Sequence, residues 1–250
     1  MVNNKKFERY IDTLLNIQSI KDYCPNGLQI EGKKNINIIV TGVSASLELI
    51  HAAIAKKADA ILVHHGYFWK AENPTITGIK YQRIKAIIQH NINLFGYHLP
   101  LDVHPNLGNN VQLAKRLDLC IVGEFNTNTI PNYGLMCETK LTLNALIDKI
   151  ESTLMRKPLV VGNQNLHIHK VAICTGGAQD LIEQAYHAGA DVYISGEISE
   201  RTTLIARELG MTYIAAGHHA TERYGIATLG QYLAQEFSLE HYFVDIDNPV

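Results

Sequence analysis

Much that would point to a specialised class of protein is missing from this sequence. Only four cysteines occur in 250 residues (Cys24, Cys120, Cys137 and Cys174), far apart and with no CxxC spacing. That argues against a zinc ribbon, a thioredoxin-like redox motif or a disulfide framework, and the four read as reduced, mostly buried apolar residues. No excess of positive charge exists: 22 Lys and Arg stand against 24 Asp and Glu, a formal net charge of −2. A nucleic-acid partner, which usually needs a basic face, is therefore not supported by charge. No apolar run approaches the roughly 18 residues of a membrane span, so no membrane partner is expected. The opening MVNNKKFERYIDTLLN is charged and reads as an amphipathic helix, without the apolar core and small-residue cleavage site of a signal peptide. The expected location is cytoplasmic. GxxxxGK[ST] is also absent, so a triphosphate would have to be held by metals, scattered Lys and Arg, and backbone amides.

What is present is an alternation. INIIVTGV (36–43), ADAILVHHG (58–66) and NINLFGYH (91–98) read as apolar strands, with amphipathic helices over 46–57 and about 78–90 between them. The pattern recurs later: strands over 170–177, 191–197, 211–218 and 240–246, with helices within 180–190, over about 200–209, and from about 218 to near Gln235. Short apolar strands separated by amphipathic helices imply mostly parallel, helix-covered sheets in an α/β fold. The halves can be overlaid. A shift of 132 places Ala58-Asp59 on Ala190-Asp191 and His64-His65 on Gly196-Glu197; a shift of 120 places His98…Asp102 on His218…Glu222. We therefore expect two similar α/β lobes from an internal duplication. The first spans 1–124, joined by the segment from about 223 to 250, and the second spans 125–222. Between the repeats, YGLMCETK reads as a strand and LNALIDKIEST as a helix, neither carrying recognisable chemistry.

Twelve histidines matter less by number than by place. His64 and His65 end a predicted strand directly before Gly66, at the sheet edge where open α/β sheets gather ligands. Adjacent strand residues face opposite ways, so both can serve one locus only where the chain leaves the sheet, as Gly66 allows. His98 and Asp102 follow the next strand in YHLPLDVHP, where Pro100 disfavours helical geometry at Leu99 and predicts a shaped loop. His218 and Glu222 follow MTYIAAG. If a helix begins there, they lie one turn apart on one face, with Cβ atoms about 5–6 Å apart. His219 faces another direction and reads as a neighbour behind the ligands or facing substrate. Imidazoles and carboxylates at carboxyl ends of predicted strands suit a two-metal site, with Zn, Mn, Fe and Ni all compatible. Tyr67-Phe68-Trp69, next to the histidine pair, are candidates to stack on a purine base, with Tyr67 and Trp69 as the substrate-binding residues.

The sequence resembles the GTP cyclohydrolase 1 type 2 family, also called NGG-one-interacting-factor-three-like, in its short bacterial form. The motifs that carry this are PNGLQ (25–29), ILVHHG (61–66), GYHLPLDVHPNLGNN (96–110) and GHHATE (217–222), in order along nearly the whole chain. The resemblance implies a dinuclear centre between two α/β lobes, with His64, His65, Asp102, His218 and Glu222 as ligands and His98 as a sixth ligand or close neighbour. It implies two divalent metal ions per chain and a toroidal homohexamer, a trimer of dimers. The activity implied is a metal-dependent hydrolase that opens the imidazole ring of GTP or of a related or damaged purine nucleotide. Two other classes fit the same residues. One is a two-metal phosphoesterase or nuclease; the other is a metal-stabilised ring that binds protein or nucleic acid without catalysis.

Overall fold

The computed structural model describes residues 1–164 and 167–250. The first part of the chain forms β1 (Val2–Asn3), α1 (Asn4–Leu14), β2 (Gly27–Ile30), β3 (Asn35–Ile36), β4 (Ile38–Ser44), α2 (Leu47–Ala55), β5 (Ala60–His65), α3 (Gly78–Gln89), β6 (Asn93–Gly96) and α4 (Leu99–Asp102). It continues with α5 (Asn109–Arg116), β7 (Cys120–Phe125), β8 (Gly134–Glu138), α6 (Leu143–Leu154), β9 (Leu159–Gly162), β10 (Lys170–Cys174), α7 (Ile182–His187), β11 (Val192–Ser195), α8 (Glu200–Leu209), β12 (Thr212–Ala215), α9 (His218–Phe237) and β13 (Glu240–Phe243). These fall into two compact units, one of residues 1–107 and 225–247, the other of 108–224 and 248–250. Among the described residues, no helix is long and apolar enough to cross a membrane.

The first unit is built on a five-stranded sheet in the order β13-β4-β5-β6-β2, parallel except for β2. Its strands are apolar throughout because both faces are covered. Ile39, Leu62 and Phe95 meet Phe7 and Ile11 of α1 and Ile226, Leu229 and Leu233 of α9. Val40, Ile61, Val63 and Leu94 meet Leu49, Ile50 and Ala53 of α2 and Ile84 and Ile87 of α3. Each such side chain contributes roughly 1.5–3 kcal/mol by leaving water. Helix α2 starts where Ser46 Oγ accepts from Leu49 N at 3.1 Å, which satisfies one of the amides left over at a helix start.

The second unit has a six-stranded sheet, β7-β8-β10-β11-β12-β9. Its centre, β10-β11-β12, is parallel, but β7–β8, β8–β10 and β9–β12 are antiparallel. The expectation of a mostly parallel sheet is thus met in the first unit and corrected here. β7 and β8 are joined by a short connection, and such a link permits only antiparallel pairing, whereas parallel neighbours need a crossover helix. One face packs Val171, Ile173, Val192, Ile194 and Ile214 under α5 and α6; the other packs Ala172, Tyr193 and Tyr213 under α7 and α8. Helix α5 gives Leu113, Ala114 and Leu117 to this core, so α5 and β7 belong with the second unit although the sequence reading drew the boundary at 124.

Both units contain the same three-strand parallel frame, and each is braced by one carboxylate. Asp59 Oδ2 accepts from Asn37 N at 2.8 Å and Ile38 N at 3.0 Å. Asp191 Oδ2 accepts from His169 N at 2.7 Å and Lys170 N at 2.9 Å. These residues correspond at the 132-residue shift read from the sequence. The third strands do not correspond at a shift of 120. Ala60 pairs with Asn93 and Val192 with Thr212, so the strand offset is one less.

Candidate functional site

In the first unit the donors gather around the ends of β5 and β6. His64 is fully buried and His65 partly so, yet their ring centroids lie only 4.6 Å apart. His98 joins them, 5.0 Å from His64 and 5.8 Å from His65. One ring nitrogen of each of the three falls within 4.8 Å of the others. His64 Nε2 is 3.5 Å from Asp102 Oδ1.

Pro100 does not prevent a helix. His98 caps the single turn α4 and Pro100 is its second residue, where a missing N–H costs nothing because first-turn amides lack intrahelical partners. The expected loop is therefore a helical turn. Asp102 N donates back to His98 O at 3.3 Å, placing the His and the carboxylate one turn apart.

Behind these donors stands Asp22, which the sequence reading did not single out. Its Oδ1 accepts from His98 Nδ1 at 3.0 Å and from Tyr23 N at 2.7 Å, and its Oδ2 accepts from Asn26 Nδ2 and Leu99 N, both at 3.0 Å. Burial alone would raise this carboxyl, but the hydrogen bond and charge of His98, with Asn26 and Tyr23 N, hold it down to about 2. PNGLQ is part of the same support. Asn26 Oδ1 accepts from His98 N at 2.8 Å, and Gln29 Oε1 accepts from Tyr67 N at 2.8 Å. The Gln29 amide lies against Gly66, where a Cβ would come within 2.2 Å of Oε1. This segment enters β2, which pairs with β6.

In the second unit, α9 opens with His218, and Glu222 sits one turn on, with His218 Nε2 3.0 Å from Glu222 Oε2. His218 Nδ1 is 2.7 Å from Glu197 Oε1. Burial would lower the pKa of this histidine, but the Glu222 and Glu197 carboxylates overcome it and raise it to about 9. Close approach is possible because Gly176, after β10, has no side chain. A Cβ there would stand 2.0 Å from Glu222 Oε1, and its φ of +69° is one that L side chains rarely adopt. His219 is buried, and its N–H donates to Val250 O at 3.0 Å. In GNN (108–110), Asn110 Oδ1 accepts from Thr175 N and Asn110 Nδ2 donates to Tyr133 O, tying α5 to the start of this loop.

The four histidines share one arrangement. Nδ1 is engaged by Tyr97 O (3.0 Å) for His64, Ser44 Oγ (3.0 Å) for His65, Asp22 for His98 and Glu197 for His218. Carbonyl and carboxylate oxygens only accept, so three of the rings carry their proton on Nδ1 when neutral, and Nε2 bears the lone pair. Backing of this kind orients metal-ligating imidazoles. The donor set, nitrogen and carboxylate oxygen on rigid element ends, fits a divalent transition metal.

The aromatic residues divide. Tyr67 is 5% exposed and its hydroxyl donates to Ala45 O at 2.6 Å; it is a core residue with no face to offer a base. Trp69 is half-buried, its ring 4.9 Å from His98 at an edge-on 84° and 6.1 Å from His65.

Over residues 2–249 the sequence matches the family model described as Duf34/NIF3 (NGG1p interacting factor 3). It is 54% identical over 251 residues to the GTP cyclohydrolase 1 type 2 homolog of Pasteurella multocida, covering 99% of this chain and 100% of that one. Identity to the protein of the same name from Vibrio cholerae is 52% over 253 residues, with 100% of each chain covered. Among solved structures, the protein ybgI, described as of unknown function, is 45% identical with a TM-score of 0.95 over 100% of both chains. TTHA1606 from Thermus thermophilus is 30% identical with a TM-score of 0.91, again over 100% of both.

Proposed function

The chain belongs to the Duf34/NIF3 family, and on that premise we propose that it is a metal-dependent hydrolase acting on GTP or a related purine nucleotide. The observation that carries this reading is the shared histidine arrangement: four buried or half-buried imidazoles, each with Nδ1 tied back. We assign His64, His65, Asp102, His218 and Glu222 as ligands of two divalent ions, with His98 beside them. Divalent ions in such a setting supply Lewis acidity and lower the pKa of water towards neutrality. The protein's own contribution is orientation. Tyr97 O and Asp22 hold His64 and His98 in one tautomer, which removes the cost of ordering them when a ligand arrives. Trp69, half-buried beside His65 and His98, is the aromatic surface left for a purine ring; Tyr67 is withdrawn from that role. The name carried by the Pasteurella and Vibrio relatives supports GTP and ring opening. A ring of six chains, read from the family resemblance, is part of the same proposal and is checked by light scattering.

The test is elemental analysis of wild type and of His64→Ala, His218→Ala and Glu222→Ala, with formate and phosphate measured on GTP. About two ions per chain and formate release, both lost in the variants, is the expected result. Phosphate without formate would replace ring opening by phosphoester chemistry. A wild type that takes up no metal under replete conditions would end the reading.

A further inference from the structure

Three arginines of the second unit pack against Gly217 or the first two turns of α9. Arg156 follows the left-handed cap of α6 at Met155 (φ 54°). Its side chain lies flat on Gly217, where a Cβ would meet Nη1 at 2.3 Å and Cδ at 2.9 Å. Gly217 has φ +99° and directly precedes His218, so the glycine serves both the turn into α9 and the space for the guanidinium. Among the described residues, Arg156 Nη1 is buried without a hydrogen-bond partner and no carboxylate lies within ion-pair distance of Arg156 or Arg116. Arg223 Nη2 donates to Leu154 O at 2.8 Å. Arg116 stacks its guanidinium 4.1 Å over the Tyr224 ring and donates to Gln112 Oε1 at 2.7 Å. Tyr224 in turn donates to Thr153 O at 2.8 Å, so α9 and the end of α6 hold Arg116 and Arg223 in place.

A buried guanidinium nitrogen with no acceptor is costly unless a ligand satisfies it. The planar fork of arginine matches phosphate oxygens two at a time, and stacking on an aromatic ring leaves that fork available. The sequence has no P-loop, and the Glu197–His218–Glu222 group is anionic apart from its imidazole, so neither accounts for holding phosphates. We propose that Arg156, supported by Arg116 and Arg223, binds the phosphate groups of a nucleoside polyphosphate. This rests on the nucleotide reading above.

The experiment is calorimetric titration of the metal-loaded protein with inorganic tripolyphosphate, GTP and guanosine at fixed salt, using wild type, Arg156→Gln, Arg156→Lys and Arg116→Gln. Tripolyphosphate and GTP should bind tenfold or more weakly to Arg156→Gln and about threefold more weakly to Arg116→Gln. Arg156→Lys should recover part of the loss, while guanosine binding, metal content and the melting temperature stay at wild-type values. Tripolyphosphate binding equal in wild type and Arg156→Gln would overturn the proposal, as would a wild type that does not bind it. The two readings fail separately. A protein that binds no metal sinks the hydrolase, whereas a loss of tripolyphosphate affinity confined to the arginine variants keeps the anion site.

Discussion

The two units build similar three-strand frames and furnish them differently. In the first, donors sit on the strand ends themselves: His64 and His65 close β5, and His98 follows β6. In the second, the residues at the corresponding β11 end are Gly196 and Glu197, and the histidine comes from the helix that follows β12. Glu197, 132 residues after His65 in the sequence, stands instead behind His218 at 2.7 Å. A frame held by Asp59 or Asp191 therefore leaves the strand ends open to different chemistry. What the second unit needs in exchange is room, supplied by glycines where a helix end comes down onto the sheet edge.

The largest effect should follow from removing that room. Gly176→Ala puts a methyl group 2.0 Å from Glu222 Oε1 at a φ of +69°, combining a clash with about 1–2 kcal/mol of left-handed strain. We expect a loss of about 2 kcal/mol in urea unfolding, with bound metal lost as well because the Glu222 carboxylate must swing away. Gly189→Ala is the matched comparison: its φ is +85° and nothing lies within 4 Å of the new Cβ. It should cost about 1–2 kcal/mol of strain and leave metal content intact. Equal losses in the two variants would mean that the close approach at Gly176 is unimportant.

Next come the carboxylates behind the histidines. Asp22 is 3% exposed as a side chain and Glu197 is 37% exposed. Asp22→Asn should therefore weaken metal binding more than Glu197→Gln, within the roughly 10–100-fold range typical of such partners. With its pKa raised to about 9, metal-free His218 carries a proton at pH 7. Coordination requires the neutral ring, so metal uptake should release that proton, and the release should fade as pH approaches 9. Titration in two buffers of different ionisation enthalpy reads it directly. If Glu197→Gln releases as many protons at pH 8 as wild type does, Glu197 is not what holds the proton.

How much of this was legible beforehand follows from where the information lies. Strands such as ILVHH and TYIA announce themselves by local apolar runs, and the proposed ligand residues by standing at their ends. Asp22 and Glu197 could not be found that way, because backing a histidine from 76 or 21 residues away leaves no spacing in the sequence. β2 was hidden too: Gly27 at φ +109° opens it, and its pairing with β6 is a long-range event. Pro100 misled because a proline that breaks a helix interior is acceptable in the first turn. β7, with Cys120–Glu124 all exposed, lacks the one-face burial that makes a strand readable.

A smaller effect should separate the two braces. Asp59 also accepts from Lys33 Nζ at 2.6 Å and its side chain is 13% exposed. Asp59→Ala strands two amides in a partly buried setting and should cost about 1–3 kcal/mol. Asp191→Ala, whose bonds lie at the surface, should cost nearer 1 kcal/mol in the same unfolding assay. A reversed order would show that the shared geometry hides different loads.

The smallest effect concerns the one strand with no parallel counterpart in the second unit. β13 extends the first sheet beside β4, where the second sheet has antiparallel β8. His241 anchors it: Nε2 lies 2.8 Å from Thr41 Oγ1, and the ring packs so closely on Gly230 that a Cβ there would meet Nε2 at 2.4 Å. Burial lowers the pKa of His241 below its ordinary 6.5. As pH falls through 6.5 the unfolded chain takes up a proton that the folded ring resists. The stability His241 contributes is therefore complete above 6.5, and it declines below that value until the folded pKa is reached. Urea midpoints measured between pH 8 and 5 should fall slightly more for wild type than for His241→Asn, whose amide can keep a bond to Thr41 but cannot titrate. Parallel curves for the two proteins would place the acid sensitivity elsewhere and leave β13 held by its backbone pairing with β4 alone.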